Sequence, residues 1–221
     1  MRVLAVVAHP DDEVLGAGGT LARHSAGGDD VHIVCLTDGV GARGQDKTAS
    51  DRRAAAARRA AEILGANPPR LHKFPDNGLD AVPLLDVTKA IEAVVAEFQP
   101  DIVYTHHVGD LNMDHVVCHR AVLIACRPLS APGVRRILAF EVPSSTEWNT
   151  PGVHTFAPTR FVDISDTLAV KHKALKAYDE EMRPFPHPRS SAAIDALVRW
   201  RGAMAGLAAA EAFVVVREIE A

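Results

Sequence analysis

The feature of this sequence that most constrains its fold is the alternation of short apolar runs with longer segments of helical periodicity. The first run, Val3–Ala8, is continuously apolar and is followed by Pro10 and a group of acids, which is typical of a strand buried on both faces. A segment with helical spacing, Glu13–Ser25, comes next and ends at Gly27-Gly28. Strands that alternate with helices in this way predict right-handed βαβ units and a mainly parallel sheet.

The same alternation continues along the rest of the chain. We expect further strands at Val31–Thr37, Leu71–Phe74, Ile102–Thr105, Arg136–Glu141, Arg160–Ile164 and Phe213–Arg217. We expect further helices at Ser50–Leu64, Asp86–Phe98, Asp114–Ala125, Ser165–Glu181 and Ser190–Leu207. The 221 residues contain no internal repeat and no convincing linker. Residues 1–221 are therefore predicted to form one α/β domain, a Rossmann-like three-layer sandwich with a mainly parallel sheet.

Charge and cysteine content limit the partners and the compartment. The formal net charge of -4 is spread along the chain without a basic block, which argues against nucleic acid or an anionic membrane as partner. The three cysteines, Cys35, Cys118 and Cys126, lie in apolar runs, as core residues of a reducing compartment do. No apolar segment approaches membrane-spanning length and no secretory signal is visible, so we expect a cytoplasmic protein. The Ala-rich segments Ala54–Ala61 and Ala203–Ala212 suit a homo-oligomer interface.

Four ionisable groups stand within five residues directly after the first strand, in the sequence His9-Pro10-Asp11-Asp12-Glu13. In a parallel α/β sheet, ligands bind outside the carboxyl ends of the strands. One acid at this position is explained by helix capping, because the helix dipole favours a carboxylate there, and Glu13 is interpreted as such a helix-start acid. Capping does not explain His9 together with both aspartates, so the loop is predicted to carry catalytic or metal-binding residues.

His9 and Asp12 are three residues apart, so a tight turn aims both at one cation. Imidazole and carboxylate ligands suit zinc, with ferrous iron or another divalent metal as the alternatives. A catalytic zinc has three protein ligands and an open position, and His115 is the best third ligand because it follows another buried strand at the same sheet edge. Asp11 is then left beside the metal, where a free carboxylate serves as a general base.

The segment Ala8-His9-Pro10-Asp11-Asp12-Glu13, with the later pair Asp114-His115 opening a helix, resembles the PIG-L/LmbE-like deacetylases over most of the chain. The resemblance implies a zinc-dependent enzyme that removes acyl groups, usually acetyl, from N-acylated amino sugars and their conjugates. It implies that His9, Asp12 and His115 bind the metal and that Asp11 is the general base. The implied partner is a small-molecule N-acetylated sugar.

The resemblance also implies roles for residues outside the first motif. Arg43, in the Gly-rich loop after the second strand, resembles a residue that holds the sugar, and Asp76 falls where the family contacts sugar hydroxyls. Many members carry a histidine that stabilises the oxyanion two residues before the second-motif aspartate, but this chain has Asn112 there. An asparagine amide donates a hydrogen bond but supplies no proton. Asp114 is expected to orient a neighbouring polar side chain.

The acid that protonates the departing amine is therefore left open among His106, His107 and His187. His187 lies in the segment 183–190, which contains three prolines and is equally well explained as a rigid connector. We take His187 as the candidate catalytic histidine, and His106 and Arg189 as candidate substrate contacts.

Three alternative functions compete with a deacetylase. A non-catalytic sugar- or metal-binding protein would keep the three ligands but have no use for Asp11, whereas an amidase acting on a thiol-sugar conjugate would use the whole site. The run Gly16-Ala17-Gly18-Gly19 suggests a nucleotide-binding domain. The acids at the start of that helix would repel a phosphate, which disfavours this function.

Overall fold

A computed structural model describes residues 1–41, 47–129 and 133–220. The strands are β1 (Arg2–Val7), β2 (Asp30–Thr37), β3 (Arg70–Phe74), β4 (Ile102–His106), β5 (Arg136–Phe140), β6 (Arg160–Asp163) and β7 (Ala210–Glu218). The α-helices are α1 (Asp12–Ala26), α2 (Lys47–Leu64), α3 (Leu84–Phe98), α4 (Met113–Ala125), α5 (Leu168–Leu175) and α6 (Ser191–Ala203). Short 3-10 helices lie at Leu79–Ala81, Thr146–Trp148 and Lys176–Glu181.

The strands form one seven-stranded sheet in the order β3-β2-β1-β4-β5-β7-β6. The five strands β1 to β5 are parallel, and β7 runs antiparallel to both of its neighbours, β5 and β6. β1 lies inside the sheet between β2 and β4, and Val3 is in register with Val31 on one side and with Ile102 on the other. The prediction of an α/β fold with a mainly parallel sheet is confirmed.

Helices cover both faces of the sheet, as the continuous apolar character of β1 requires. The odd-numbered residues of β1 pack in a core with α1, α2, α5 and α6, and the even-numbered residues pack in a second core with α3 and α4. The three cysteines are free and buried. Within the described residues, no helix is both long and apolar enough to cross a membrane.

One predicted helix differs from the structure in a way that matters for the site. The segment expected to be helical from Ser165 to Glu181 forms α5 only to Leu175 and then continues as a 3-10 helix. Inside that 3-10 helix, Tyr178 leaves helical geometry, with φ -100° and ψ 41°. Hydrophobic periodicity does not reveal this kink, which turns the buried Tyr178 hydroxyl toward Glu13 at the start of α1.

The glycine run in α1 is explained by close packing against the sheet. A Cβ atom added at Gly16 would lie 2.1 Å from the ring of Phe140, and one at Gly19 would lie 2.8 Å from Ile164. These glycines let the helix lie directly on β5 and on the end of β6. The packing accounts for the run without a phosphate ligand.

Replacing Gly16 with alanine should therefore destabilise the protein, although alanine is the better helix former. The added methyl group overlaps the Phe140 ring, and overpacking of this kind typically costs about 1–3 kcal/mol. The matched control is Gly27→Ala, at the exposed end of the same helix, where a Cβ meets nothing closer than 3.4 Å. Urea denaturation of both variants measures the difference, and equal free energies of unfolding would show that α1 can shift without cost.

Candidate metal centre and active site

The site forms where the carboxyl ends of two neighbouring strands meet. β1 and β4 are hydrogen-bonded neighbours, and each is followed by a polar loop and a helix start. The first loop places His9 directly before α1, whose first residue is Asp12. The second places His115 in the first turn of α4. Sheet topology therefore joins segments that are about a hundred residues apart in sequence.

Three buried donor atoms converge at this edge. Nδ1 of His9 lies 3.2 Å and Nε2 of His115 lies 3.3 Å from Oδ2 of Asp12, and the two nitrogens are 3.3 Å apart. In a tetrahedral site with bonds of about 2.0–2.1 Å, ligand atoms are about 3.3–3.4 Å from one another. The three donors thus have the mutual spacing that one zinc-sized ion requires.

The second oxygen of Asp12 supports the same conclusion. Oδ1 is buried and has no hydrogen-bond partner among the described residues. A buried carboxylate oxygen without a partner is unfavourable, and a cation beside it would satisfy it. Two imidazoles and one carboxylate are also the donor types that zinc and ferrous iron accept in proteins. The residues therefore fit a divalent metal ion.

Each imidazole of the cluster has a carboxylate at its other ring nitrogen. Nε2 of His9 lies 3.1 Å from Asp114 and 3.3 Å from Asp76, and Nδ1 of His115 lies 3.1 Å from Asp110. Metal-binding histidines usually donate their second N–H to a carboxylate, which fixes the tautomer and the ring orientation. The arrangement presents Nδ1 of His9 and Nε2 of His115 to the same point.

The supporting carboxylates are themselves held in place. Asp114 accepts hydrogen bonds from the backbone N–H groups of Asn77 at 2.8 Å and Leu79 at 2.9 Å, which ties the turn after β3 to the site. Asp110 accepts from the hydroxyls of Ser145 and Thr146. Burial alone would raise the pKa of Asp110, but His115 and these two hydroxyls lower it to about 2.

His106 packs against His115 and is fully buried. Its Nε2 accepts a hydrogen bond from the N–H of Ala8 at 2.9 Å, and its ring stacks on His115 with centroids 3.9 Å apart. Burial, reinforced by His115, holds the pKa of His106 well below its usual value. A neutral His106 therefore supports the first loop from below, and it has no exposed surface to offer a substrate.

The charges of the cluster compensate one another. Burial would raise the pKa of Asp12, but the neighbouring imidazoles, foremost His115, hold it well below the usual range. Burial disfavours charged His9, yet hydrogen bonds to Asp114 and Asp12 raise its pKa to about 10. The same opposition, dominated on the raising side by Asp12, brings the pKa of His115 to about 9.

The carboxylate of Asp11, which is not one of the three donors, contacts two arginines. Its Oδ2 lies 3.0 Å from Nη1 of Arg189 and 3.5 Å from Nη1 of Arg53. Burial raises the pKa of Asp11, while Arg189 and Arg53 oppose that shift. Its φ of 120° is a strained value for a residue other than glycine.

Several residues of this surround carry no recognisable signal in the sequence. Arg53 in α2 also contacts Glu181, with Nη2 2.8 Å from Oε1. Glu13 does more than begin α1, because its buried carboxylate accepts from the Tyr178 hydroxyl and from the backbone N–H of Asp11. Burial raises the pKa of Glu13 to about 7.

The remaining candidate residues are less closely joined to the cluster. Asn112 caps α4, since its side-chain oxygen accepts from the N–H of Asp114 at 2.8 Å, and its Nδ2 lies 3.3 Å from Asn77. His187 accepts from the backbone N–H of Arg189 at 3.0 Å, so it neighbours Asp11 through that arginine. Arg43 lies outside the described residues.

Two further candidate residues, Asp76 and His107, both have buried side chains. Asp76 is turned toward His9, and only 2% of its side chain is exposed. His107 is buried, accepts from the N–H of Gly109 and packs against Phe156. Burial lowers the pKa of His107 to about 4, which keeps its ring neutral at pH 7.

Comparisons with known proteins identify the family to which the chain is similar. The family model described as PIG-L, GlcNAc-PI de-N-acetylase, matches residues 4–126. The uncharacterized deacetylase YaiS of Escherichia coli (strain K12) is 30% identical over 177 residues, which cover 78% of this chain and 90% of that protein. The 1D-myo-inositol 2-acetamido-2-deoxy-alpha-D-glucopyranoside deacetylase of Rhodococcus opacus (strain B4) is 32% identical over 171 residues, 64% of this chain and 58% of that protein.

A solved structure shows that the fold alone does not determine the reaction. The hydratase GalB from Pseudomonas putida KT2440, which acts on 4-carboxy-2-hydroxymuconate, superposes with a TM-score of 0.79 at 24% identity. The match covers 100% of this chain and 98% of that one. The architecture therefore also occurs in a protein named for a different reaction, so the reaction has to be argued from the site.

Replacing His115 with alanine should lower metal affinity by about 100-fold or more, because it removes one of three donors. His119→Ala is the matched control: His119 is buried in the same helix, and its Nδ1 contacts the carbonyl of His106 rather than the cluster. Metal content after dialysis against a chelator, measured by mass spectrometry, checks the difference. Full occupancy in His115→Ala would place the third donor elsewhere.

Metal binding should release about two protons per protein at pH 7, because a metal binds only the neutral imidazoles. Without metal, the pKa values of about 10 for His9 and about 9 for His115 leave both rings protonated at that pH. Affinity should therefore rise with pH, by up to about 100-fold per unit, until these groups have titrated. Calorimetry in two buffers of different ionisation enthalpy counts the protons, and a release of less than one would contradict the assignment.

Proposed function

The chain belongs to the PIG-L family, and we propose that it is a metal-dependent hydrolase that removes the N-acetyl group from an amino sugar or amino-sugar conjugate. One turn of the chain carries the proposal. His9 and Asp12 face a common cation position together with His115, while Asp11 between them keeps its carboxylate outside the donor set. A binding protein needs the first three residues; a hydrolase also needs the fourth.

His9, Asp12 and His115 would hold the metal, which we propose is Zn²⁺, with Fe²⁺ or another divalent cation as the alternative. When bound, the metal supplies Lewis acidity, which polarises the amide carbonyl and lowers the pKa of water toward neutrality. Asp114 and Asp110 hold the two imidazoles in the orientation that this requires.

Asp11 acts as the general base in this proposal. It takes a proton from water as the water oxygen attacks the carbonyl carbon of the acetamide. Arg189 and Arg53 keep the carboxylate oriented and favour its ionised form. Burial raises its pKa from the ordinary value, which makes it a better proton acceptor near neutral pH than an exposed aspartate.

Collapse of the tetrahedral intermediate needs a hydrogen-bond donor at the oxyanion and a proton at the nitrogen. The Asn112 side-chain oxygen caps α4 and one amide N–H donates to Asn77, so the second N–H is the one proposed for the oxyanion; one such donor is typically worth ~3 kcal/mol. We assign proton delivery to His187, which neighbours Arg189. The C–N bond then breaks and leaves acetate and the free amine.

Of the four residues first considered as substrate contacts, we assign two to the substrate and two to the support of the metal-binding loop. Arg189, with 19% of its side chain exposed, and Arg43 are assigned to the substrate itself. Asp76 and His106 are assigned to the support of the metal-binding loop, through His9 and through the N–H of Ala8 respectively. The substrate class is an N-acetylglucosamine-type sugar, in line with the names of the relatives.

Asp11→Asn should reduce turnover by about 10²–10⁴-fold, because the amide accepts no proton, while metal content stays within about twofold. The assay follows amine release from N-acetylglucosamine, N,N'-diacetylchitobiose and an N-acetylglucosaminyl inositol, after reloading with Zn²⁺ or Fe²⁺. Asp80→Asn, at an exposed aspartate of a 3-10 helix, is the control and should keep full activity.

The outcomes separate the rival functions. Unchanged turnover in Asp11→Asn would remove Asp11 from the mechanism. No amine release from any sugar by the metal-loaded wild type, with retained sugar binding, would favour a non-catalytic binding protein. Release from a thiol-sugar conjugate alone would identify the amidase alternative.

A further inference from the structure

Glu13 is the one ionisable residue of the first loop that the proposed reaction does not use. It is 1% exposed, so it is not an ordinary solvated acid at a helix start. Its Oε1 accepts a hydrogen bond from the Tyr178 hydroxyl at 2.6 Å. Its Oε2 accepts a hydrogen bond from the backbone N–H of Asp11 at 3.1 Å. Glu13 thus connects the proposed base to a residue far along the chain.

The backbone of Asp11 depends on such a contact. Its φ of 120° lies outside the regions that residues other than glycine readily adopt, and strained positions persist only where the surrounding structure fixes them. Its carbonyl accepts from the N–H groups of Val14 and Leu15, which start α1. Its own N–H is held by Glu13 alone among the contacts of the described residues.

Tyr178, the partner of Glu13, belongs to a segment that also contacts the side chain of Asp11, the proposed base. Tyr178 is 2% exposed and sits at the kink of the 3-10 helix that follows α5. In the same stretch, Glu181 contacts Arg53 and Arg189 contacts the Asp11 carboxylate. Residues 176–190 therefore reach Asp11 through its backbone and its side chain, although they lie outside the part matched by the family model.

We infer that Glu13 and Tyr178 are positioning residues that set the backbone conformation, and hence the carboxylate direction, of Asp11. The inference rests on the proposed function, in which Asp11 takes the proton. Glu13 contributes through the N–H of Asp11, and Tyr178 contributes by fixing the carboxylate of Glu13. Among the described residues, neither side chain is hydrogen-bonded to His9, Asp12 or His115, so loss of the pair should affect turnover more than metal binding.

The chain offers a matched control, because it has two tyrosines and both are buried with their hydroxyls hydrogen-bonded. The Tyr104 hydroxyl lies 2.9 Å from Nε2 of His24, near the end of α1 that points away from the site. Tyr178→Phe and Tyr104→Phe each delete one buried hydroxyl. A purely structural role for Tyr178 predicts that the two variants behave alike.

We expect kcat to fall about tenfold or more in Tyr178→Phe, with KM and metal content within about twofold, because small displacements of a reacting group are costly. Tyr104→Phe should lower the melting temperature by about as much as Tyr178→Phe does, and it should leave kcat unchanged. Equal kcat in the two variants would overturn the inference. Absence of amine release by the wild type would instead be a failure of the proposed function, and the structural measurement below then decides the positioning role by itself.

A second pair of variants works on Glu13 directly. Glu13→Ala removes both hydrogen bonds, and kcat should fall about 100-fold. Glu13→Gln keeps an acceptor for the Asp11 N–H and offers its amide to the Tyr178 oxygen, so kcat should stay within about threefold of the wild type. A crystal structure of Glu13→Ala should show Asp11 moved away from a φ near 120°. An unmoved Asp11 in that variant would overturn the inference whatever the activity.

Discussion

The buried carboxylate of Asp12 is the constraint on which the rest of the site depends. It is fully buried, and an ionised carboxylate at such a position is strongly unfavourable unless its charge is matched. Three imidazoles, those of His9, His115 and His106, lie within 3.5 Å of one of its oxygens. The carboxylates behind these rings are held in turn by backbone amides and hydroxyls. The imidazoles around Asp12, and the groups that hold their carboxylate partners, therefore offset the cost of burying one negative charge. A bound cation would offset the remainder, at the oxygen that has no partner among the described residues.

Much of the fold was predictable, because each strand and helix is encoded by a local pattern. The run at β1 is apolar without alternation because both faces of the strand are covered, and all seven strands were expected near their observed positions. The meeting of the three proposed metal donors was predictable for a similar reason: His9 and Asp12 follow a buried strand directly, and His115 follows another. Sheet topology then leaves little freedom in where they meet. The kink at Tyr178 was not predictable, because its cause lies in a contact with a distant residue.

The contacts around Asp11 and His115 could not be predicted from neighbouring residues in the sequence. Arg53 lies in an Ala- and Arg-rich helix, and nothing in its sequence neighbours separates it from the exposed arginines beside it. Glu13 looks like a helix-start acid until its burial is known. Asp110 stands in a polar loop among other polar residues, and only the fold turns it toward His115. In each case the role of the residue depends on a contact with a side chain that is distant in sequence. Such contacts are determined by tertiary packing and not by spacing along the chain.

The position of β7 between β5 and β6 has a consequence for the order in which the protein assembles. In the described structure β6 pairs with β7, which is synthesised later, so β6 leaves the ribosome before its partner exists. Between the two lie α5, α6 and the segment that carries Tyr178 and Arg189. The strands β1 to β5 can form their parallel sheet first, with the proposed metal-binding residues already at its edge. Arg53 and Glu13 are made early, but the contacts that Tyr178 and Arg189 contribute around the proposed base arrive last. In a newly made chain, the capacity to bind the proposed metal would therefore precede the capacity to use it.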